Sequence, residues 1–329
     1  MRRWYARALY LYYILLCVLG LGSCAVVRVT RPVVKVGLVG PFEGQYRYVG
    51  YDAIYAARLA LREANAAGGV GSYHVELVAY DDQGTVQGAR QAAQNLIQDP
   101  QVVAVIGHFR DATSAAAQPI YERSGLPLHV AGTVAGDPAL LCPLLEYLTE
   151  KGAGPIGWLG ALSDLPPCAA DAPPTPVETF PPAPDVSAVL LTGDPINAGE
   201  NLRALRASGW DGPVAGGPAL GSPLFREMSG ASASGALFVA PYRWPETDGQ
   251  DAAFSAAYQA LGPHVPPPGP FALSTYQATQ TLLAAVAATG EREAPLIRQA
   301  LSVDPPADYP VYLYRWGDSD TPILLQTLD

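Results

Sequence analysis

Apolar and polar residues alternate along the chain in blocks that predict strands and helices in turn. The first half predicts strands at 33–39, 75–79, 102–106 and 128–130, and helices at 51–67, 85–98 and 112–123. The block at 33–39 is apolar throughout, which suits a parallel strand covered on both faces. The helical blocks repeat apolar residues every three or four positions. Strands alternating with helices of this length predict βαβ units and a parallel sheet.

The second half continues the pattern with one interruption. It predicts strands at 156–159, 186–191 and 236–240, helices at 144–151, 199–208, 252–261 and 272–289, and a closing hairpin of 309–314 with 322–325. Between residues 165 and 185 the chain carries eight prolines. Proline removes a backbone donor and clashes within a helix, so no helix is expected there.

The N-terminus has the pattern of a secretory signal. Arg2, Arg3 and Arg7 precede an apolar run from 8 to 21 that ends in Leu21-Gly22-Ser23-Cys24. The cysteine after small residues resembles the lipobox of bacterial lipoproteins, in which this cysteine is lipidated. We expect residues 1–23 to be a signal peptide, 24–31 a tether, and Cys24 the lipid anchor of an extracytoplasmic chain on the cell membrane. The alternative is an uncleaved anchor, although a spanning helix usually needs ~20 apolar residues.

The length and net charge of the chain limit the number of domains and the classes of binding partner. The 329 residues fit about two domains. The net charge is −10 and becomes −13 without the three arginines of the signal. An acidic chain is a poor partner for nucleic acid or for anionic lipid surfaces, so neither is expected.

Two cysteines remain after Cys17 leaves with the signal and Cys24 is lipidated. In an oxidising compartment Cys142 and Cys168 are expected to pair, which would restrict the proline-rich segment that they bracket. The alternative is a metal site, but the sequence has no CxxC and its four histidines are scattered. No metal and no cofactor are expected.

Several segments, in this order, resemble the type I periplasmic binding proteins, in the leucine/isoleucine/valine-binding branch that serves ABC importers. The segments are Val36-Gly37-Leu38-Val39-Gly40-Pro41, Asn65-Ala66-Ala67-Gly68-Gly69-Val70, Leu77-Val78-Ala79-Tyr80-Asp81-Asp82, Ile106-Gly107-His108 and, later, Gly209-Trp210 to Gly217. The resemblance implies an α/β fold of two Rossmann-like lobes with mostly parallel sheets, joined by a three-stranded hinge around a ligand cleft. It implies a first lobe of 32–138 plus 243–301 and a second of 139–242 plus 302–329, with crossings after about 137, near 241–244 and near 301–304.

Ligands of open parallel sheets bind beyond the carboxyl ends of the strands, here the loops 40–50, 107–113 and 131–137. By the resemblance, Asp111 takes the place of a serine that holds the ligand carboxylate, and Thr133 that of a threonine. The candidate ligand-binding residues are Tyr46, Tyr48, Arg110, Asp111, Thr133 and Asp194. Alternatives stay open: Asp111 as a helix N-cap, Arg110 as a surface charge or its partner, and the tyrosines as packing.

Other polar residues near these loops are assigned to structure. Asp81 and Asp82 are interpreted as a strand-end pair, and His108 as a structural residue at the sheet edge. Because the family's amino-acid contacts are mostly absent, we hypothesise that the ligand is not a plain branched-chain amino acid. Asp111 would instead pair with a cationic or polyhydroxylated ligand.

The second lobe is expected to be reduced. By the resemblance, two helices are replaced by proline-rich links, which would uncover one sheet face. Three outcomes are open: the proline-rich segment lies across the sheet, another subunit covers it, or the lobe no longer closes on ligand.

These features favour a lipid-anchored solute-binding protein that delivers a small, polar, amino-acid-like molecule to the permease of an ABC importer. The alternative is a surface sensory or scaffold protein of the same fold that has lost amino-acid binding. An enzyme is not expected, because the chain lacks GxSxG, HExxH, GxGxxG and the Walker lysine motif.

Overall fold

The computed structural model describes residues 31–130, 140–160, 165–169, 173–246, 249–289, 294–301, 310–319 and 321–328. The strands are β1 Val33–Gly40, β2 His74–Asp81, β3 Val102–Ile106, β4 Leu128–His129, β5 Ile156–Leu159, β6 Thr175–Pro176, β7 Ala188–Leu191, β8 Val214–Gly216, β9 Leu237–Ala240, β10 Val311–Trp316 and β11 Pro322–Leu328. The helices are α1 Arg47–Ala66, α2 Val86–Leu96, α3 Asp111–Ser124, α4 Leu141–Glu150, α5 Pro195–Ala207, α6 Pro223–Ser229, α7 Ala252–Gln259, α8 Ala272–Thr289 and α9 Ala294–Leu301.

The first sheet is parallel and has the order β2-β1-β3-β4. Its central strands β1 and β3 are almost entirely buried, as expected of strands with helices on both faces. One face packs against α1 and α8, and the other against α2 and α3. The helices that follow β9 in sequence, α7 and α8, thus return to the first sheet.

The second sheet has the order β11-β10-β9-β8-β7-β5-β6. Strands β5 to β9 run parallel, and β10 and β11 close the sheet antiparallel. Helix α4 packs on one face, while α5 and α6 cover the other. The predicted fold class, two α/β sheets of mostly parallel strands, is confirmed.

The main differences from the predicted elements have local causes. Helix α1 begins at Arg47, four residues before the predicted start, and so includes Gly50. A Cβ at Gly50 would lie 2.3 Å from the carbonyl oxygen of Pro41, so this glycine serves close packing and does not stop the helix. The sequence pattern missed β8, α6 and α9, which have only 3, 7 and 8 residues.

The proline-rich region is attached to the second sheet. A disulfide joins Cys142 of α4 to Cys168, which lies in a short 3-10 turn, with an S–S distance of 2.13 Å. Strand β7 is fully buried, whereas both residues of β6 are exposed. We expected one face of the second sheet to be exposed. Within the described residues, this exposure is limited to the β6 edge.

Candidate ligand-binding site

The loops after β2 and β3 are tied together by buried polar groups. The Nδ1 atom of His108 lies 2.7 Å from Oδ2 of Asp82, and its Nε2 atom lies 3.3 Å from the hydroxyl of Tyr121. The other carboxylate oxygen of Asp82 accepts from the amide of Gly84 at 2.9 Å. His108 is fully buried and comes just after β3, so it lies at the carboxyl edge of the sheet and has the structural role that was expected.

Asp81 has a structural role at the same place. Its Oδ1 atom accepts from the amides of Phe42 at 3.0 Å and Gln83 at 2.8 Å, which joins the loops after β1 and β2. Each carboxylate of the Asp81-Asp82 pair therefore fixes loops, in agreement with their interpretation as a strand-end pair.

Two predicted ligand-binding residues come together above these loops. The guanidinium carbon of Arg110 lies 4.3 Å from the ring centroid of Tyr46, within the range of a cation–π contact. Its Nη1 atom donates to the carbonyl oxygen of Gly84. Tyr46 is buried, while Arg110 keeps part of its surface exposed. The pair thus fixes a guanidinium at the carboxyl edge of the first sheet.

Aromatic side chains form a cluster around Phe271. The ring of Phe271 lies 6.3 Å from Tyr48, 6.1 Å from Phe109 and 4.9 Å from Tyr242. Tyr48 is the second residue of α1 and Phe109 lies in the loop after β3, whereas Tyr242 follows β9 of the second sheet. Burial raises the pKa of Tyr48 and Tyr242 above the usual range, so both phenols are neutral hydrogen-bonding groups.

A buried carboxyl group holds Phe271 in place. The carboxylate oxygens of Asp52 in α1 accept from the amides of Gly269 and Phe271, each at 3.1 Å. A Cβ at Gly269 would lie 2.4 Å from the carboxylate, so only glycine allows this approach. Burial raises the pKa of Asp52 to about 7, against the opposing effect of the two amides.

The second sheet contributes Ser222 and the segment after β9 to the candidate site. Ser222 is buried, caps α6 by accepting from the amide of Leu224 at 3.0 Å, and its side chain lies near that of Tyr48. The hydroxyl of Tyr314 accepts from the amide of Trp244 at 2.8 Å. The carboxyl end of β8 therefore meets the carboxyl edge of the first sheet.

The remaining candidates are spread out. Asp111 is exposed and is the first residue of α3, and Arg110 before it is the N-cap, so Asp111 is not the cap. Asp194 caps α5: its Oδ1 atom accepts from the amides of Ile196 and Asn197, each at 3.0 Å. Thr133 and Cys24 lie outside the described residues.

Sequence reasoning missed Asp52, Phe271 and Tyr242. The sequence pattern did indicate Asp52, because an acidic residue stands there beside Ala53 and Ala56 on the buried side of α1. No sequence pattern indicated Phe271 and Tyr242, because their proximity depends on chain segments that are distant in sequence.

Among the described residues, neither a metal-ion site nor a membrane-spanning helix is found. No group of three or more histidine, cysteine or acidic side chains is arranged to hold a metal ion. No helix among these residues combines the length and apolar character that a membrane span requires.

The two α/β sheets meet at the carboxyl ends of their strands through the rings of Tyr48, Phe271 and Tyr242, an architecture typical of two-lobed binding proteins. The periplasmic binding protein family model matches residues 33–142 and 182–310, and the chain belongs to this family. The unmatched stretch contains most of the proline-rich region. The predicted resemblance to the type I, leucine/isoleucine/valine-binding branch is confirmed, and the family is one of binding proteins, in agreement with the expectation of no enzyme.

Relatives and solved structures agree with this assignment. The chain is 30% identical over 93 residues to an amino acid binding protein of Pseudomonas aeruginosa and to the Leu/Ile/Val-binding protein of Escherichia coli. Each alignment covers 28% of this chain and 25% of the relative, so the chain matches about a quarter of their length.

The fold similarity extends further. The isoleucine complex of LivJ from Streptococcus pneumoniae has a TM-score of 0.76 at 19% identity, covering 89% of this chain and 99% of that one. A solute-binding protein of R. palustris in complex with benzoate has a TM-score of 0.70 at 17% identity, covering 90% and 96%. These likenesses show the fold.

Proposed function

We propose that the chain is an extracytoplasmic, lipid-anchored protein that binds a small polar solute and delivers it to an ABC importer. The observation that carries this proposal is the ring cluster around Phe271, whose ring packs against both Tyr48 of α1 and Tyr242 after β9. A solute held between the two sheets would be enclosed when they close on it by a hinge motion, which is typical of such proteins. The lobe boundaries, the signal peptide and the anchor at Cys24 are parts of the same proposal.

The solute is amino-acid-like or related, but is not a plain branched-chain amino acid. Arg110 presents a guanidinium fixed by Tyr46 and Gly84, which suits an acidic group of the solute. Asp111 is exposed one residue further on, and we propose that it pairs with a cationic or polyhydroxylated part. Opposite charges side by side favour a solute with both kinds of group.

Ligand-dependent stabilisation tests the proposal. The form beginning at Ala25 would be screened by thermal unfolding with L-leucine, L-arginine, D-glucose and benzoate, and any probe that raises the melting temperature would be titrated by calorimetry. We expect L-arginine or D-glucose to bind more tightly than L-leucine. Tight binding of L-leucine would overturn the solute class.

A matched pair of variants locates the site. Phe271→Ala removes the ring that packs between the two sheets. We expect this variant to raise the dissociation constant of the bound probe at least about tenfold. Phe254→Ala is the control, because Phe254 packs on Tyr258 and Tyr276, with ring centroids 5.8 and 5.0 Å away. Equal effects of the two variants would count against a site at Phe271.

A second function is supported by the proline-rich edge of the second sheet, where both residues of β6 are exposed. A surface sensory or scaffold protein of the same fold would explain the acidic residue at Asp111 and the stretch that the family model does not match. Absence of stabilisation by every probe, together with no permease or ATPase genes beside this one, would favour that function.

A further inference from the structure

The two edges of the second sheet differ in their chemistry. The β6 edge consists of two residues, Thr175 and Pro176, and follows Pro173 and Pro174. Proline lacks the amide hydrogen that a neighbouring strand would need, so this edge is closed to further pairing. The β11 edge is seven residues long, and its one proline is its first residue.

Strand β11 also lacks the charges that usually protect an edge. Its sequence, PILLQTL, contains no charged residue. Its register with β10 shifts between Leu313 and Tyr314, which leaves Leu325 as a bulge and is one protective feature. Charges and interior prolines, the other common devices, are missing from the strand itself.

Three consecutive apolar side chains are exposed on β11. Ile323, Leu324 and Leu325 are 45%, 36% and 38% exposed. Because neighbouring side chains of a strand point to opposite faces of the sheet, apolar surface is exposed on both faces. A strand added at this edge would cover both faces and pair the backbone, whereas a helix would cover one.

One end of this edge borders a recess. A cavity of about 330 Å³ is lined by Trp244, Pro245, Tyr314, Pro322 and Leu324, among others. Edge-strand recognition commonly combines backbone pairing with a side-chain recess of this kind. The recess therefore extends from β11 toward the segment after β9, with mostly apolar walls and one acidic side chain, Glu246.

We propose that β11 pairs antiparallel with β11 of a second copy of this chain, which joins two second sheets into one. Within β11 itself two copies meet without like-charge repulsion, although Asp320 and Asp329 flank the strand and the form beginning at Ala25 carries a net charge of −13. Pairing a strand with itself forms a closed, two-fold interface. The prolines at β6 block the other edge, so the association stops at two copies.

Sedimentation equilibrium of the form beginning at Ala25, which contains every described strand and helix, tests this dimer. We expect a concentration-dependent dimer for the wild type. Leu324→Lys places a charge on the edge in each copy and should raise the dimer dissociation constant at least about tenfold. Ile97→Lys is the control, since Ile97 is an exposed apolar side chain of similar exposure, 39%, away from β11.

The outcomes separate clearly. A wild type that stays monomeric throughout the micromolar range would overturn the proposal, as would a dimer that Ile97→Lys weakens as much as Leu324→Lys does. Ile323→Lys, on the opposite face of the strand, should also dissociate the dimer, which covers the case in which Leu324→Lys fails to fold. Circular dichroism establishes folding of each variant.

Discussion

Asp52 predicts an unusual dependence of stability on pH. Burial raises its pKa from 3.8 to about 7 in the folded protein, so the folded state holds a proton that the unfolded state has released. Between these two values the folded state therefore binds more protons, and the free energy of unfolding falls as the pH rises. The stabilising effect of protonation is complete below 3.8 and lost above about 7.

The magnitude follows from the size of the shift. A shift of about three pH units at about 1.4 kcal/mol each gives about 4 kcal/mol, to the order of magnitude. Asp52→Asn removes the titration and retains the shape of the side chain. Its amide nitrogen faces one of the two backbone amides, which adds a constant loss that does not depend on pH.

Urea unfolding of both proteins across this pH range is the assay. The free energy of unfolding of the wild type minus that of Asp52→Asn should fall by about 4 kcal/mol in all from about one pH unit below 3.8 to about one pH unit above 7, and then stay level. Asp99→Asn provides a control of opposite sign, because the hydrogen bond from Lys35 lowers the pKa of Asp99. A wild-type minus Asp52→Asn difference that is constant with pH would refute the reasoning.

Two further predictions concern the disulfide and a glycine. Replacing Cys142 and Cys168 together by serine should lower the free energy of unfolding by about 3.5 kcal/mol, for a separation of 26 residues, and an unchanged urea midpoint would contradict this. Gly107→Ala should destabilise by about 3 kcal/mol in the same assay, because φ is +118° and its Cβ would lie 2.1 Å from the carbonyl oxygen of Val39. Gly125→Ala is the control, because φ is +81° there and a Cβ would have no atom within 4 Å; it should lower the free energy of unfolding by about 1 kcal/mol. Equal losses for the two variants would show that the contact with Val39 is not the cause.

The fold was largely predictable because local patterns specify it. Strands β3 and β5 and helix α8 have the predicted limits, since each is bounded by clear turn or proline signals. Short elements such as β8 have too few residues for a periodic pattern, and they form because neighbouring strands supply their hydrogen bonds.

The candidate site was less predictable. The contact between Tyr46 and Arg110 joins loops that the sequence had already identified as neighbours at the strand ends. The contact between Asp52 and Phe271 joins residues 219 positions apart, and no local pattern encodes it. Asp194 was a candidate ligand-binding residue, yet an aspartate followed by proline at the start of a helix is also a typical N-cap.

The indole pair of Trp244 and Trp316 has a practical consequence. Their ring centroids lie 6.0 Å apart with an interplanar angle of 79°, and Trp316 is anchored by donating to the carbonyl oxygen of Leu220 at 2.7 Å. Trp244 lies on the segment that leads from the second sheet back to the helices of the first. Near-ultraviolet circular dichroism of this coupled pair can therefore report the geometry of that connection without an added label.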